Sequence, residues 1–141
     1  MNPDNIRAAI QADTALQALM PDTQAIAAAL SVGRTRVTTR LGGVGVVLEA
    51  LGPEEGAAVL DTLDALKATS SPVKWAWVLI NRGELDFGSP ATRGMIQQLQ
   101  LGGALTVSQA ATLLALAEVP DPVDEMDVRR AIYADDGSLL V

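Results

Sequence analysis

Apolar residues recur along most of this chain at intervals of three and four, the spacing that gathers side chains on one face of a helix. The stretch 53–69 shows it plainly, with Val59, Leu60, Leu63 and Leu66 set against Glu54, Glu55, Asp61 and Asp64. Its early acids also suit the positive end of a helix dipole. Five prolines mark helix starts, each behind a residue able to cap one: Asn2-Pro3, Gly52-Pro53, Ser71-Pro72, Ser89-Pro90 and Asp121-Pro122. Proline loses nothing at the first helical position, because its missing N–H would be unpaired there. Thr106 with Gln109 three residues on reads as a capping box, and Asp22 or Thr23 opens a further helix. Stops agree: Gly33, Gly52, Gly83 and Gly102 each follow an apolar-periodic run. The pattern predicts helices over 3–12, 14–20, 23–31, 44–51, 53–69, 72–82, 90–101, 107–118 and 122–133. The helix 107–118 carries no charge before Glu118, which predicts a buried position at the centre of a bundle.

Two segments depart from this period. Arg34 to Leu41 is rich in β-branched residues and alternates. As a strand it places Arg34, Arg36, Thr38 and Arg40 on one face and Val37, Thr39 and Leu41 on the other. In the segment 133–141, Asp136-Gly137 is a turn signal before Ser138-Leu139-Leu140-Val141, and a two-stranded element joining it to the basic strand is one reading. The expected fold class is mainly α: a multi-helix bundle of short helices with at most a small β element. A chain of 141 residues with no low-complexity linker is expected to form a single helical domain, 1–141.

Composition narrows the chemistry. The chain holds neither Cys nor His. That removes thiol nucleophiles, Ser-His-Asp relays, disulfides, haem ligation by His and the ordinary zinc sites. Half the residues are apolar (49%) and 19% are charged, which fits a folded protein. Seventeen acids against ten bases give a net charge of −7, which disfavours a broad nucleic-acid or anionic-membrane surface. The longest uncharged stretch, Gly94 to Ala117, is interrupted by glutamines and the Gly102-Gly103 pair, so no membrane span is expected. The opening Met1-Asn2-Pro3-Asp4 has an acid where a signal peptide carries Lys or Arg. No metal or cofactor is expected, and no catalytic residue stands out.

Few constellations remain. Asp124, Glu125, Asp127, Asp135 and Asp136 form an acidic cluster. Hard cations take such ligands, but the spacing matches no calcium loop, and acids at a helix start cap it. Glu54-Glu55 points two carboxylates about 100° apart on a helix, poor geometry for a shared proton. Gly42-Gly43-Val44-Gly45 lacks the Lys of a phosphate loop and reads as a flexible hinge. The basic strand is more informative, with three of the ten positive charges within seven residues. Arg34, Arg36 and Arg40 either guard an exposed edge against aggregation or dock an acidic partner. Trp75 and Trp77 are the second candidate. Two positions apart on a helix diverge by about 200°, so one ring can enter the core while the other is left near the surface, where Trp serves interfaces. The competing readings are that both rings pack inside the domain, or that Val73–Ile80 is a strand with both rings on one face.

Several runs together carry a resemblance: Gly33-Arg34-Thr35-Arg36, Val46 to Gly52, Val73-Lys74-Trp75-Ala76-Trp77, Gly83 to Gly88, and Leu113 through Pro120-Asp121-Pro122-Val123. In this order they resemble a family of small virion and tail-region proteins of tailed bacteriophages. The resemblance implies a structural protein of the virion, assembled in the host cytoplasm, that acts by protein–protein interaction and not as an enzyme. The resemblance does not fix a place in the particle; the tail, tail fibre or baseplate is the preferred expectation, with the capsid or neck as the alternative. Its partners would be other virion proteins or further copies of itself, with no nucleic acid and no membrane. Two other classes remain from the residues: an intracellular acidic effector that mimics DNA, and a small hydrolase or metal enzyme. Seven of the seventeen acids crowd between Glu118 and Asp136 instead of spreading along one face, which counts against the first. The absence of His and Cys counts against the second.

Overall fold

The computed structural model describes all 141 residues, Met1 to Val141. Nine helices dominate it: α1 (Pro3–Ala12), α2 (Thr14–Ala18), α3 (Thr23–Ser31), α4 (Val44–Leu51), α5 (Pro53–Leu66), α6 (Ser71–Asn81), α7 (Pro90–Leu101), α8 (Val107–Ala115) and α9 (Glu125–Ile132). The β structure is four strands of two or three residues: β1 (Thr35–Val37), β2 (Leu41–Gly42), β3 (Leu85–Asp86) and β4 (Glu118–Pro120). β1 pairs with β4 and β2 with β3. The protein is mainly α with a small β element.

Local chemistry explains most helix starts. Asn2, Asp22, Ser70, Ser89 and Thr106 each accept from an amide of the first turn through the side chain. Proline stands at the first or second position of α1, α5, α6 and α7. At α8 both bonds of the capping box form, 3.1 Å from the Gln109 amide to Thr106 Oγ1 and 3.0 Å from the Thr106 amide to Gln109 Oε1.

The fifth proline is an exception. Asp121-Pro122 does not open a helix; α9 begins only at Glu125, capped by Asp124. Bonds from elsewhere in the chain hold this stretch extended. The Asp121 amide donates to the Arg34 carbonyl at 3.0 Å, the Val123 amide donates to Ser31 Oγ at 2.8 Å, and the Val123 side chain is buried.

The residues group into two compact units, Met1–Arg36 with Pro120–Val141, and Val37–Val119. In the first, α1, α3 and α9 bury Ile6, Ile10, Ile26, Val128 and Ile132. Each such side chain contributes about 1.5–3 kcal/mol on leaving water. Arg7 Nε donates to the Ala131 carbonyl at 2.9 Å and ties α1 to α9. In the second unit, Val47, Val59, Leu60, Ile80, Phe87, Ile96 and Leu113 form the core. Two glycines there are demanded by close approach. A Cβ on Gly43 would stand 2.6 Å from the Ile80 carbonyl oxygen, and one on Gly88 would overlap the Thr38 carbonyl. The run Gly42-Gly43-Val44-Gly45 is thus a packing device, not the hinge its composition predicts: Gly42 lies in β2 against Val46 and Phe87, and Gly43 meets Gly83.

Three further expectations are corrected. The eight-residue strand over Arg34–Leu41 breaks at Thr38–Arg40, where the Arg40 amide donates to Asp86 Oδ1 at 3.0 Å and the Phe87 amide donates to the Arg40 carbonyl at 2.9 Å. It does not pair with the 133–141 segment; that segment folds back on itself, with Leu139 bridging Tyr133. Finally, α8 is not buried all round. Ala110 and Leu113 face the core, while Val107, Ser108, Ala111 and Ala115 are exposed. Small side chains leave the burial pattern of such a helix to tertiary packing, and α8 ends at Ala115, before the residues that pair as β4.

Candidate functional site

The second unit presents its most distinctive surface along α6. Ser70 caps this helix, accepting from the Val73 amide, and Pro72 follows. Val73 and Ile80, seven residues apart, are buried, and Ala76 and Trp77 pack on the same core. That fixes the opposite face outward. Pro72, Trp75, Leu79 and Arg82 follow one another at three- and four-residue spacing and form its stripe. Trp75 is 62% exposed. The two tryptophans therefore diverge as helical geometry requires.

Each ring carries a lysine. Lys67 Nζ lies 5.4 Å from the centre of the Trp77 ring and Lys74 Nζ 5.3 Å from that of Trp75, within reach of a cation–π attraction. The two couples differ. Lys67 is also paired with Asp64 at 2.5 Å, whereas Lys74 has no carboxylate partner. Beside the Trp75 stripe runs a seam between α6 and α7. A hollow of about 210 Å³ lies among Trp75, Leu79, Thr92 and Met95. A second, of about 470 Å³, continues past Pro72 and Met95 to Gln98 and Leu99. Apart from Ser70, Thr92 and Gln98 the lining is apolar. Neither α6 nor α7 contains an acid. From 65 to 117 the only carboxylates are Glu84 and Asp86, and Asp86 already accepts from the amides of Arg40 and Gly88.

The arginines of the predicted basic strip are divided. Arg34 pairs within its own unit with Asp121 at 3.3 Å, so its charge is already answered. Arg36, in the same unit, is exposed, as is Arg40 in the other. Six of the ten cations form ion pairs: Arg7, Arg34, Lys67, Arg93, Arg129 and Arg130. Arg36, Arg40, Lys74 and Arg82 form none.

Four of the five acids of the cluster are spent on local structure, and Asp135 is exposed without a partner. Asp124 caps α9, Glu125 accepts from Thr23 Oγ1 at 2.8 Å and pairs with Arg129, and Asp127 pairs with Arg130. Asp136 accepts from the hydroxyl and amide of Ser138, and these bonds hold its carboxyl below the usual carboxylate range. No group of three or more His, Cys, Asp or Glu side chains converges to hold a metal ion. Glu55 accepts from Gln109 Nε2 at 3.0 Å.

One concavity has no forerunner in the sequence reading, a hollow of about 590 Å³ in the first unit between Pro21, Thr23, Met126, Arg130 and Tyr133. Of its polar groups, Thr23, Arg129 and Arg130 are those just described as paired, while Asp135 lines it without a partner. The only sequence signal for it was the polar face of α9, which reads as an ordinary solvated helix. No helix is long and apolar enough to cross a membrane. No protein-family model matches this chain, and no curated protein or solved structure does so either.

Proposed function

We propose that this protein is a structural component of a bacteriophage virion, placed in the tail, tail fibre or baseplate, and that it works by binding other proteins and not by catalysis. The observation that carries the reading is the exposed Trp75–Leu79 stripe beside the α6–α7 seam. A contiguous apolar patch rimmed by polar groups marks interaction surfaces, and Trp is prominent among residues that dominate binding energy. The sequence resemblance supports the virion setting. Arg36 and Arg40, unpaired and exposed, are available to an acidic neighbour.

The test is mass spectrometry of purified particles of a phage that encodes the chain, with heads and tails separated. The protein is expected in the tail fraction at constant stoichiometry. Recovery in heads would favour the capsid or neck, and absence from particles despite expression in the infected cell would overturn the reading. In the same assay, Arg36→Glu with Arg40→Glu leaves every ion pair intact and is expected to lower incorporation. Normal incorporation would leave these arginines as guards of an exposed edge.

A further inference from the structure

The α6–α7 seam and the segment 135–141 are complementary in kind. The seam offers an apolar floor, the exposed Trp75 ring and two cations without partners, Lys74 and Arg82, on helices free of acids. The segment offers the reverse: Asp135 and Asp136, a turn at Gly137, then Leu139, Leu140 and Val141, all exposed, Leu139 by 57%. It is already shaped. The Ala134 amide donates to the Ser138 carbonyl at 2.8 Å and the Leu140 amide to the Ile132 carbonyl at 2.6 Å, so little chain entropy remains to be lost on docking. The Ser138 bonds favour the charged form of Asp136 and lower its pKa.

We propose that the seam receives the 135–141 segment of a second copy of this chain, Leu139 and Leu140 entering the hollows beside Trp75 and Met95 while Asp135 faces Lys74. This names the partner for the docking surface of the preceding section and rests on the reading that this surface binds protein. The contact joins two different patches. It is therefore heterologous, and it propagates from copy to copy into a ring or an open chain. A net charge of −7 would otherwise keep copies apart; the acid-free stretch is where an acidic chain can meet another.

Sedimentation across a wide range of protein concentration tests this. The wild-type chain is expected to associate reversibly, less strongly at high salt. Trp75→Glu alters only the seam, and Leu139→Ser with Leu140→Ser alters only the segment. Each is expected to weaken association at least about tenfold with helicity unchanged by circular dichroism. Mixed together, the two variants retain one intact seam and one intact segment, and they are expected to form a heterodimer that grows no further. Lys74→Glu mixed with Asp135→Lys is expected to recover association that Lys74→Glu alone lacks. A wild-type chain that stays monomeric at every concentration overturns the proposal, as does undiminished association of either variant or a mixture that yields no heterodimer. Incorporation of a monomeric chain into particles would leave the virion reading standing while this one fell.

Discussion

A methyl group on Gly88 would run into the Thr38 carbonyl, and backbone cannot yield as the end of a flexible side chain can. The same stretch is fixed from the other side, because Asp86 Oδ1 accepts from both the Gly88 and the Arg40 amides. Gly88→Ala is therefore expected to cost about 3 kcal/mol, at the upper end of overpacking effects. Gly45 is the control. Nothing lies within 4 Å of a Cβ there and it sits inside α4, so Gly45→Ala is expected to stabilise by up to about 1 kcal/mol. Denaturant midpoints decide both, and a wild-type midpoint for Gly88→Ala would refute the close-approach argument. Charge follows a similar logic of prior commitment at this scale. Arg34 is answered by Asp121 and Lys67 by Asp64, whereas Lys74 beside Trp75 is among the four cations left free to meet something else.

At the scale of elements, what could be read in the sequence divides by the range of the interaction responsible. Helix starts are set within four residues, and the capping box at Thr106 forms as read. Thr106→Ala is expected to cost about 1 kcal/mol, measurable as a lowered thermal midpoint, and Thr106→Ser is expected to restore it. Equal stability of the Ala variant would show that α8 is held by packing alone. The strands were not legible in this way. Leu41 pairs with Asp86 and Gly42 with Leu85, partners that no local pattern announces, and the residues of β4 look like the end of an apolar helix. Asp121-Pro122 misleads because bonds to Arg34 and Ser31 override a sound local signal. The candidate site shows the same division. The divergence of Trp75 and Trp77 follows from helical angle alone, whereas the seam exists only because α7 brings Ala91 and Met95 beside Pro72.

For the molecule as a whole, seventeen acids and no histidine or cysteine leave carboxylates as the charged ligands through which a hard metal ion would be held. Asp124 caps α9, Glu125 and Asp127 are paired with arginines, and Asp136 pins the turn at Gly137. A cation recruiting them would have to break those bonds, and no three acids stand close enough to share one. A ligand held only by the folded chain adds about 2.7 kcal/mol at a hundred times its Kd, which in a protein of this size raises Tm on the order of 10 °C. Adding Ca²⁺ or Mg²⁺, or removing divalent ions with EDTA, is accordingly expected to leave Tm essentially unchanged beyond the small shift that ionic strength alone produces, matched with NaCl. A rise of many degrees specific to Ca²⁺ would mean that the acids between Asp121 and Asp136 rearrange around an ion. Asp127→Asn should then abolish the rise while leaving the fold intact.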